Sequence, residues 1–231
     1  MSTAKTTEAI PDTPPPLVVA VDGPAAAGKG TLSRRLGGYY RLAYLDTGSL
    51  YRGVGWLMIR ENTDPRDAAA AAEAARRFRI EMLEDADIRT GDVARAASVV
   101  AVQPDVRAAL LDYQRRFALS PPGDARGAVL DGRDIGTVVC PDAQVKLFVT
   151  ASPECRAERR WLELKVADPH LSLTSVLDDI KRRDARDASR AAAPLRPAEG
   201  AHLLDTTALS IDAAYAAARR VIDRALEAAD A

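Results

Sequence analysis

A single lysine lies within a run of small residues, between an apolar segment and a helical pattern. The run is Gly23-Pro24-Ala25-Ala26-Ala27-Gly28-Lys29-Gly30-Thr31, and it follows the apolar segment LVVAV at 17–21. Small residues let a backbone wrap around a polyphosphate, and the amides at the start of the next helix then point at the anion. Because a lysine at this place reaches the terminal phosphates, the pattern predicts a P-loop that binds a nucleoside triphosphate. The alternative is a glycine–alanine turn that only caps a helix.

The end of this phosphate loop (residues 23–31) departs from the usual GKS or GKT pattern. Residue 30 is glycine, and the hydroxyl comes one residue later, at Thr31. In the usual pattern this hydroxyl binds Mg²⁺ directly. We therefore expect no dedicated protein ligand for the metal, and Mg²⁺ held mainly by phosphates and water.

A second group of polar residues follows the apolar run LAYL at 42–45. The group is Asp46-Thr47-Gly48-Ser49-Leu50-Tyr51-Arg52. A hydroxyl and an arginine about one helical turn apart, such as Thr47 and Arg52, can grip a second phosphate, because arginine binds phosphate bidentately. A helix cap followed by a turn remains the alternative.

The third group, Leu130-Asp131-Gly132-Arg133-Asp134-Ile135-Gly136-Thr137, ends another apolar run. Asp131 at the end of a buried strand fits a Walker-B-like carboxylate near Mg²⁺. Arg133 can meet the phosphate of an acceptor, and Asp134 can accept a hydrogen bond from a polar base edge. The alternative is a tight turn with an internal Asp–Arg pair, but charges concentrated at one strand end favour function.

Two arginine clusters lie in the last third of the chain. Arg156, Arg159 and Arg160 share one face of a helix that starts with Ser152 and Pro153, while Arg183, Arg186 and Arg190 flank Asp187. Alone, each cluster is typical of a solvated helix. Phosphoryl transfer, however, depends on positioning and charge neutralisation, so several arginines beside a P-loop favour an anionic acceptor over water.

These groups lie between or just beyond short apolar runs that alternate with helical patterns. The runs are LVVAV (17–21), LAYL (42–45), GAVL (127–130), VKLFV (145–149) and HLL (202–204). Such runs are typical of strands buried on both faces of a parallel sheet, and their alternation with helices indicates βαβ units. The sequence therefore predicts an α/β fold, a five-stranded parallel sheet with helices on both faces. Ligands bind beside the carboxyl ends of such strands.

Apolar residues at helical spacing predict the main helices. They indicate helices over 105–117, behind a cap at Ser172, and after Ser210, and an alanine-rich helix over 65–78. The next stretch, RIEMLEDADIRTGD, predicts one short strand at most. Residues 60–98 are thus the least sheet-like part of the chain.

Length and composition restrict the class of protein. The chain has 231 residues and a formal net charge of -1. This balance argues against a dedicated nucleic-acid or polybasic membrane protein, and no apolar run approaches the roughly 20 residues of a membrane span. Cys140 and Cys155 lack metal-ligand spacing and fit a reducing cytoplasm. We expect residues 1–16 to be a disordered tail and 17–231 to form a single domain.

Together these motifs resemble those of bacterial cytidylate kinases. The stretches that carry the resemblance are GPAAAGKGT, DTGSLYR, LDGRDIGT, RRDARDASRAAAPL and LLDTTALSI, in this order from about Leu17 to the C-terminus. Adenylate kinases share the GKGT loop but carry a different signature for the second substrate. The pairing of DTG…YR with DGRD is therefore the specific part.

The resemblance implies a P-loop kinase fold and the transfer of the γ-phosphoryl group of ATP to CMP or dCMP, with Mg²⁺. Residues 23–31 would bind the ATP phosphates, with Lys29, Asp131 and Arg133 at the reacting groups. A short lid over 152–170 would supply Arg156, Arg159 and Arg160. The implied CMP site consists of Thr47, Arg52 and Arg133 at the phosphate, Ser98, Arg107 and Asp134 at the cytosine, and Arg183, Asp187 and Arg190 at the ribose and phosphates.

One segment departs from the family pattern. Many members carry a longer insert with several strands before the stretch that corresponds to IRTGDVARAAS, and here RIEMLEDADIRT is much shorter. The resemblance therefore implies a reduced NMP-binding insert over 60–98. This segment bears on how the monophosphate site closes and on how CMP is distinguished from dCMP or UMP.

From the residues alone, two other functions stay open. One is a P-loop kinase for another small acceptor, such as a different nucleotide or a metabolite hydroxyl. The other is a nucleotide-dependent switch, against which stands the absence of a guanine-reading NKxD motif after a strand. Because the sheet explains the apolar faces of the helices, we expect a monomer.

Overall fold

The structure is a computed structural model that describes residues 16–83, 87–88, 90–166, 168–190 and 192–229. Within these residues, five parallel strands form one sheet in the order β2-β3-β1-β4-β5. The strands are β1 (Leu17–Asp22), β2 (Ala43–Asp46), β3 (Gly127–Gly132), β4 (Val145–Thr150) and β5 (His202–Asp205). The predicted α/β class and all five predicted strand runs are confirmed. The predicted tail, apart from Pro16, lies outside the described residues.

Eight α-helices connect the strands or follow them in the described part of the chain. They are α1 (Lys29–Tyr40), α2 (Thr47–Arg60), α3 (Ala68–Arg77), α4 (Gly91–Val100), α5 (Pro104–Leu119), α6 (Pro153–Leu164), α7 (Leu173–Ala188) and α8 (Ile211–Ala229). A 3-10 turn (Ile80–Leu83) follows α3, and a π-helical turn (Ile135–Val139) follows β3. None of these helices is long and apolar enough to cross a membrane.

The strands are apolar on both faces because helices cover each face. On one face, Val19 and Val21 of β1 pack with Leu36 of α1 and Ile222 of α8. On the other, Ala20 of β1 joins a cluster with α5 and the π-helical turn. All the strand residues named here are fully buried, as expected for a parallel sheet with two covered faces.

The segment between β2 and β3 forms a second, all-helical core. Leu50, Val54 and Met58 of α2 pack against α3 and α5 in a cluster of buried side chains. The alanine-rich helix is shorter than the predicted 65–78, because the Asp67 carboxylate caps it by accepting a hydrogen bond from Ala70 N at 3.1 Å.

The described residues of the stretch after this helix form no strand, where the sequence allows one short strand at most. Ile80–Leu83 is a 3-10 turn instead, and Ile80, Met82 and Leu83 all pack against the helical core. A half-buried strand directs alternate side chains to opposite faces, which these residues do not do. Within 60–98, the described residues therefore form helices and turns and no strand.

Helices α6 and α7 form an arm beyond β4. Predicted caps at both N-termini are confirmed: the Ser152 hydroxyl accepts from Cys155 N at 3.2 Å, and the Ser172 hydroxyl accepts from Ser175 N at 3.1 Å. A small apolar cluster that contains Ala157, Val176 and Ile180 holds the two helices together. Arg190 lies beyond the end of α7 rather than on it.

Gly55 of α2 gives a test of the packing between α2 and α4, with Gly38 of α1 as the control. A Cβ atom at Gly55 would lie 2.8 Å from Ala97 N and 3.0 Å from Ala96 Cβ, so Gly55→Ala should lower the free energy of unfolding by about 1–3 kcal/mol. Gly38 has nothing within 4 Å of such an atom, so Gly38→Ala should raise it by about 0.5–1 kcal/mol. Urea denaturation measures both changes, and equal effects would contradict the close approach of α2 and α4.

Candidate active site

The phosphate loop leaves β1 through a backbone conformation that requires glycine. Gly23 has φ of 146°, and a Cβ atom there would lie 1.9 Å from the carbonyl oxygen of Val149 in β4. Gly28, with φ of 90°, provides the N-cap of α1 without a side chain. The first amides of α1 therefore have no side-chain cap, which leaves them available to an anion.

Three carbonyl groups of the loop point outward and accept hydrogen bonds from surrounding side chains. Lys29 Nζ donates to Pro24 O at 3.0 Å, Arg156 Nη1 to Ala25 O at 3.3 Å, and Thr206 Oγ1 to Ala27 O at 3.2 Å. The loop is thus fastened by its own lysine, by α6 and by the segment after β5. Thr31, in the first turn of α1, is exposed.

Lys29 is buried in a strongly charged environment. Burial and the positive charge of Arg133 lower its pKa to about 7, although the carboxylates of Asp131 and Asp46 oppose this shift. An anion bound in the loop would stabilise the ammonium form. The alternative of a plain helix-capping turn does not account for a lysine that is only 5% exposed among these charges.

Asp131 lies against the phosphate loop at the end of β3. A Cβ atom on Gly30 would be 3.4 Å from Asp131 Oδ2, which also accepts a hydrogen bond from the Tyr44 hydroxyl at 3.0 Å. Asp46 lies beside Asp131 in the register of β2 and β3. Burial raises the pKa of Asp131, and Asp46 adds to this shift while Lys29 opposes it.

A cluster of arginines surrounds Asp187 on α7. Arg133 Nε donates to Asp187 Oδ2 at 3.1 Å, and Arg190 forms an ion pair with the other oxygen of the same carboxylate. Burial opposes ionisation of Asp187, but Arg133 and its neighbours hold its pKa below the usual value. The stability that this ionised carboxylate contributes is therefore present at neutral pH. It is lost as the pH falls through the lowered pKa.

Positive charge exceeds negative charge in this cluster. Burial and the charge of Arg133 lower the pKa of Arg183 to about 9, and the charge of Arg52 acts in the same direction. The Nε atoms of Arg183 and Arg190 are buried and have no hydrogen-bond partner among the described residues. The cluster therefore suits an anion that brings both charge and acceptor oxygens.

Thr47 lies at the start of α2, next to the end of β3. Its hydroxyl donates to Asp131 O at 2.8 Å, so the two loops that the sequence singled out are in direct contact. Arg52 is one helical turn further along α2 and lies close enough for its charge to act on Arg183. The structure thus brings together the predicted phosphate-binding groups of α2, β3 and α7.

Two of the three predicted base-reading residues pair with each other, and the third pairs with another residue. Arg107 on α5 forms an ion pair with Asp134, and both side chains are about nine-tenths buried. Ser98 on α4 instead accepts a hydrogen bond from Arg186 at 2.6 Å. The alternative of an internal Asp–Arg pair in the 131–134 turn is wrong, because Arg133 and Asp134 both pair with helices distant in sequence.

The three arginines of α6 have different surroundings. Arg156 is 3% exposed and makes a bidentate ion pair with Asp184 of α7, at 2.6 and 3.0 Å. Arg159 donates to the backbone oxygen of Thr206 at 2.8 Å. Arg160 pairs with exposed Glu163, as a solvated helix face would.

Sequence reasoning missed several polar residues of this region. They are Asp22, Tyr44, Tyr51 and Asp184, together with the pairing role of Arg186 and Thr206. Asp22 was the easiest of them to find from the sequence, since it is a charged residue directly between an apolar run and the glycine that opens the phosphate loop. The others gain their contacts from helices or strands far away in the sequence.

The described residues contain no group of three or more His, Cys, Asp or Glu side chains able to hold a metal ion. The carboxylates of Asp131 and Asp46 at the phosphate loop are nevertheless hard oxygen donors of the kind that Mg²⁺ accepts. This donor set fits a cation that takes its remaining ligands from phosphates and water.

Comparison with known proteins gives a consistent result. The family model described as cytidylate kinase matches residues 19–227. A cytidylate kinase of Azorhizobium caulinodans is 56% identical over 209 residues, which cover 90% of this chain and 99% of that protein. A cytidylate kinase of Paramagnetospirillum magneticum is 57% identical over 205 residues, which cover 89% of this chain and 97% of that protein.

The charge excess at Asp187 predicts a stability change that a phosphate ion should partly reverse. Asp187→Asn leaves Arg133 and Arg190 without their buried counter-charge and should cost about 3–5 kcal/mol of unfolding free energy. Asp179→Asn is the control on the same helix, where an exposed pair with Arg182 should cost less than about 1 kcal/mol. Inorganic phosphate should raise the melting temperature of Asp187→Asn more than that of the control. Equal responses in thermal denaturation would contradict the cluster described here.

Proposed function

The chain belongs to the cytidylate kinase family, and we propose that it transfers the γ-phosphoryl group of ATP to CMP or dCMP, giving ADP and CDP or dCDP. Nearly the whole chain supports the assignment, since the family model covers residues 19–227. One structural observation carries the proposal. A buried arginine cluster with surplus positive charge lies so close to the phosphate loop that Arg133 and Arg183 both lower the pKa of Lys29.

The donor site is the phosphate loop. We assign the ATP phosphates to the backbone amides of residues 23–31 and to the Lys29 ammonium group. The lack of a side-chain cap at Gly28 and the buried position of Lys29 support this assignment. Bound phosphate would replace Pro24 O as a partner of Lys29 Nζ and would favour its protonated form.

The acceptor phosphate is assigned to the arginine cluster around Asp187. Arg133 and Arg183 offer guanidinium groups that Asp187 only partly neutralises. Arg52 and the Thr47 hydroxyl complete this side, and Arg190 and Asp187 would contact the ribose. A phosphate dianion fits here because several arginines give it bidentate hydrogen bonds as well as charge.

The base is assigned to Asp134, Arg107 and Ser98. The Asp134 carboxylate can accept from the exocyclic amino group of cytosine, whereas the corresponding oxygen of uracil would meet it acceptor to acceptor. Arg107 keeps this carboxylate in place through a buried ion pair. We therefore expect CMP and dCMP to be preferred over UMP.

Mg²⁺ is proposed as the cofactor, held mainly by phosphates and water beside Asp131. When bound, it would neutralise phosphate charge and orient the γ-phosphoryl group. Asp131 is adjacent to the position at which a Ser or Thr side chain would otherwise reach the metal, since a Cβ on Gly30 would contact its carboxylate. The Tyr44 hydroxyl fixes one oxygen of that carboxylate.

The mechanism is an in-line displacement that needs no protein nucleophile. An oxygen of the CMP phosphate forms a bond to the γ-phosphorus, and the bond from that phosphorus to the bridging oxygen of ATP breaks. Lys29 and Arg133 neutralise the charge of the transition state, and the arginines of the 152–170 lid are proposed to join them on closure. Closure also excludes water, which favours transfer over hydrolysis.

Both substrates are assigned to residues of one chain, so we infer that a monomer is sufficient for activity. We further propose that the protein works in the cytoplasm on free nucleotides and needs neither nucleic acid nor a membrane. The formal net charge of -1 supports small anionic substrates in a local basic cleft rather than a polyanion on the surface.

An acceptor panel tests the reaction. Coupled assays with AMP, CMP, dCMP, UMP and GMP should show transfer to CMP and dCMP above all others. Lys29→Ala should lower kcat by about 100- to 1,000-fold, because a preorganised cation is removed from the reacting phosphates. Lys181→Ala, an exposed lysine of α7, is the matched control and should leave the rate unchanged.

Other outcomes of the panel would contradict the proposal. Transfer to a single non-pyrimidine acceptor would indicate a kinase for another metabolite. ATP turnover that ignores every monophosphate would indicate a nucleotide-dependent switch.

The low pKa of Lys29 predicts that ATP binding takes up protons. Burial and the charge of Arg133 lower the pKa of Lys29 to about 7, and the bound phosphates should raise that pKa. Isothermal titration calorimetry at pH 8 in buffers of different ionisation enthalpy should therefore show that ATP binding takes up protons. The uptake should persist in Lys181→Met and disappear in Lys29→Met. An absence of uptake by the unaltered protein would contradict either the lowered pKa of Lys29 or its contact with the phosphates.

A further inference from the structure

Asp22 is a buried carboxylate that the assignments above leave without a role. It is the last residue of β1, directly precedes the phosphate loop, and is 3% exposed. Its two oxygens accept hydrogen bonds from backbone amides: Oδ1 from Ile135 N at 2.7 Å, and Oδ2 from Gly136 N at 2.8 Å. A residue of β1, the strand that leads into the phosphate loop, thus holds the start of the π-helical turn that follows β3.

These two amides follow Arg133 and Asp134 directly in the sequence. Asp22 lies beside Gly132 in the register of β1 and β3, so the chain leaves β3, presents Arg133 and Asp134, and returns to the Asp22 carboxylate. On the other side, Thr47 holds the carbonyl of Asp131. Asp22, at the end of β1, therefore holds this acceptor loop (residues 132–136), and Thr47, just after β2, holds the residue before it.

The acceptor loop has little room to take another conformation. A Cβ atom on Gly132 would lie 2.6 Å from Ile135 Cδ1 and 2.7 Å from Thr47 Oγ1, and one on Gly136 would lie 3.1 Å from Ala198 Cβ. In such close packing the backbone path of the loop depends on the partners that hold its amides. The Asp22 carboxylate holds the adjacent amides of Ile135 and Gly136.

The carboxylate form suits this task better than any neutral side chain. Burial raises the pKa of Asp22 to about 6, while the two amide hydrogen bonds lower it, so the group is ionised at neutral pH. Hydrogen bonds to an ionised acceptor are stronger than neutral ones. An asparagine would offer one acceptor oxygen and turn its NH₂ group toward the other amide, donor against donor.

We propose that Asp22 is a positioning residue that fixes Arg133 and Asp134 relative to the phosphate loop, so that the acceptor phosphate meets the γ-phosphorus in line. This inference rests on the proposed function. It assigns Asp22 no contact with either nucleotide. Its effect passes through the acceptor loop, and small displacements there weaken catalysis strongly because in-line transfer depends on alignment.

The test compares Asp22→Asn with the control Asp142→Asn, an exposed carboxylate that follows the same π-helical turn. We expect Asp22→Asn to raise KM for CMP about tenfold and to lower kcat, because a buried amide loses its acceptor. KM for ATP should change less than about twofold, because the phosphate loop keeps its own contacts. Asp142→Asn should behave as the unaltered protein.

Amide hydrogen exchange gives a readout that does not depend on the reaction. Asp22→Asn should speed exchange at whichever of Ile135 and Gly136 loses its acceptor, while the amides of α1 stay protected. Asp22→Glu serves as the second variant, since it keeps the charge but displaces the carboxylate by one methylene. It should show the same split between the two KM values.

Three results would overturn the inference. They are unchanged KM for CMP in both variants, equal changes in both KM values together with a lower melting temperature, and unchanged exchange at Ile135 and Gly136. A different result would separate the two proposals. If the unaltered protein fails to phosphorylate CMP, the proposed function falls, while faster exchange in Asp22→Asn would still support the anchoring of the acceptor loop.

Discussion

Repulsion between buried cations is the constraint on which the rest of this structure depends. Lys29, Arg133, Arg183 and Arg190 converge beyond the carboxyl ends of the parallel strands, where the charge of Arg133 lowers the pKa of each of the other three. Without ligand, a few carboxylates must keep these groups together. The buried carboxylates of Asp131 and Asp187 do so, and each belongs to a different element of the fold.

The charged groups of the site lie at neighbouring strand ends. The parallel register places Asp46 and Asp131 side by side, and Asp22 beside Gly132, so three successive strand ends in the sheet order carry or face the charged groups. The helices then bring the remaining partners: α7 contributes Asp187, and α5 contributes Arg107. The site is therefore a property of the sheet edge, and the helices supply its counter-charges.

Local pattern was enough to predict the elements that build this edge. Continuous apolar runs identified all five strands, and the small residues around Lys29 identified the phosphate loop, because both signals depend only on neighbours in the sequence. The one short strand that the sequence allows after α3 is absent from the described residues, because the side chains of the turn Ile80–Leu83 pack against a helical core that no local window reveals.

The pairings inside the site were beyond the reach of the sequence. Arg133 and Asp187 are separated by 54 positions, and Arg156 and Asp184 by 28. Both arginines were singled out as groups for phosphate, but their ligand-free partners follow from how α6 and α7 pack against the sheet. The composition of the arginine clusters predicted an anion, and the packing decided which carboxylates stand in its place.

The hydrogen bond from Thr206 to Ala27 joins a region that is translated early to one that is translated late. The phosphate loop lies near the N-terminus. Thr206, which donates to this loop, and Arg159, which donates to Thr206, are translated 179 and 132 positions after Ala27. A nascent chain that has formed β1, β2 and β3 on the ribosome still lacks these supports. Nucleotide affinity should therefore arise late during translation, after most of the polypeptide has emerged.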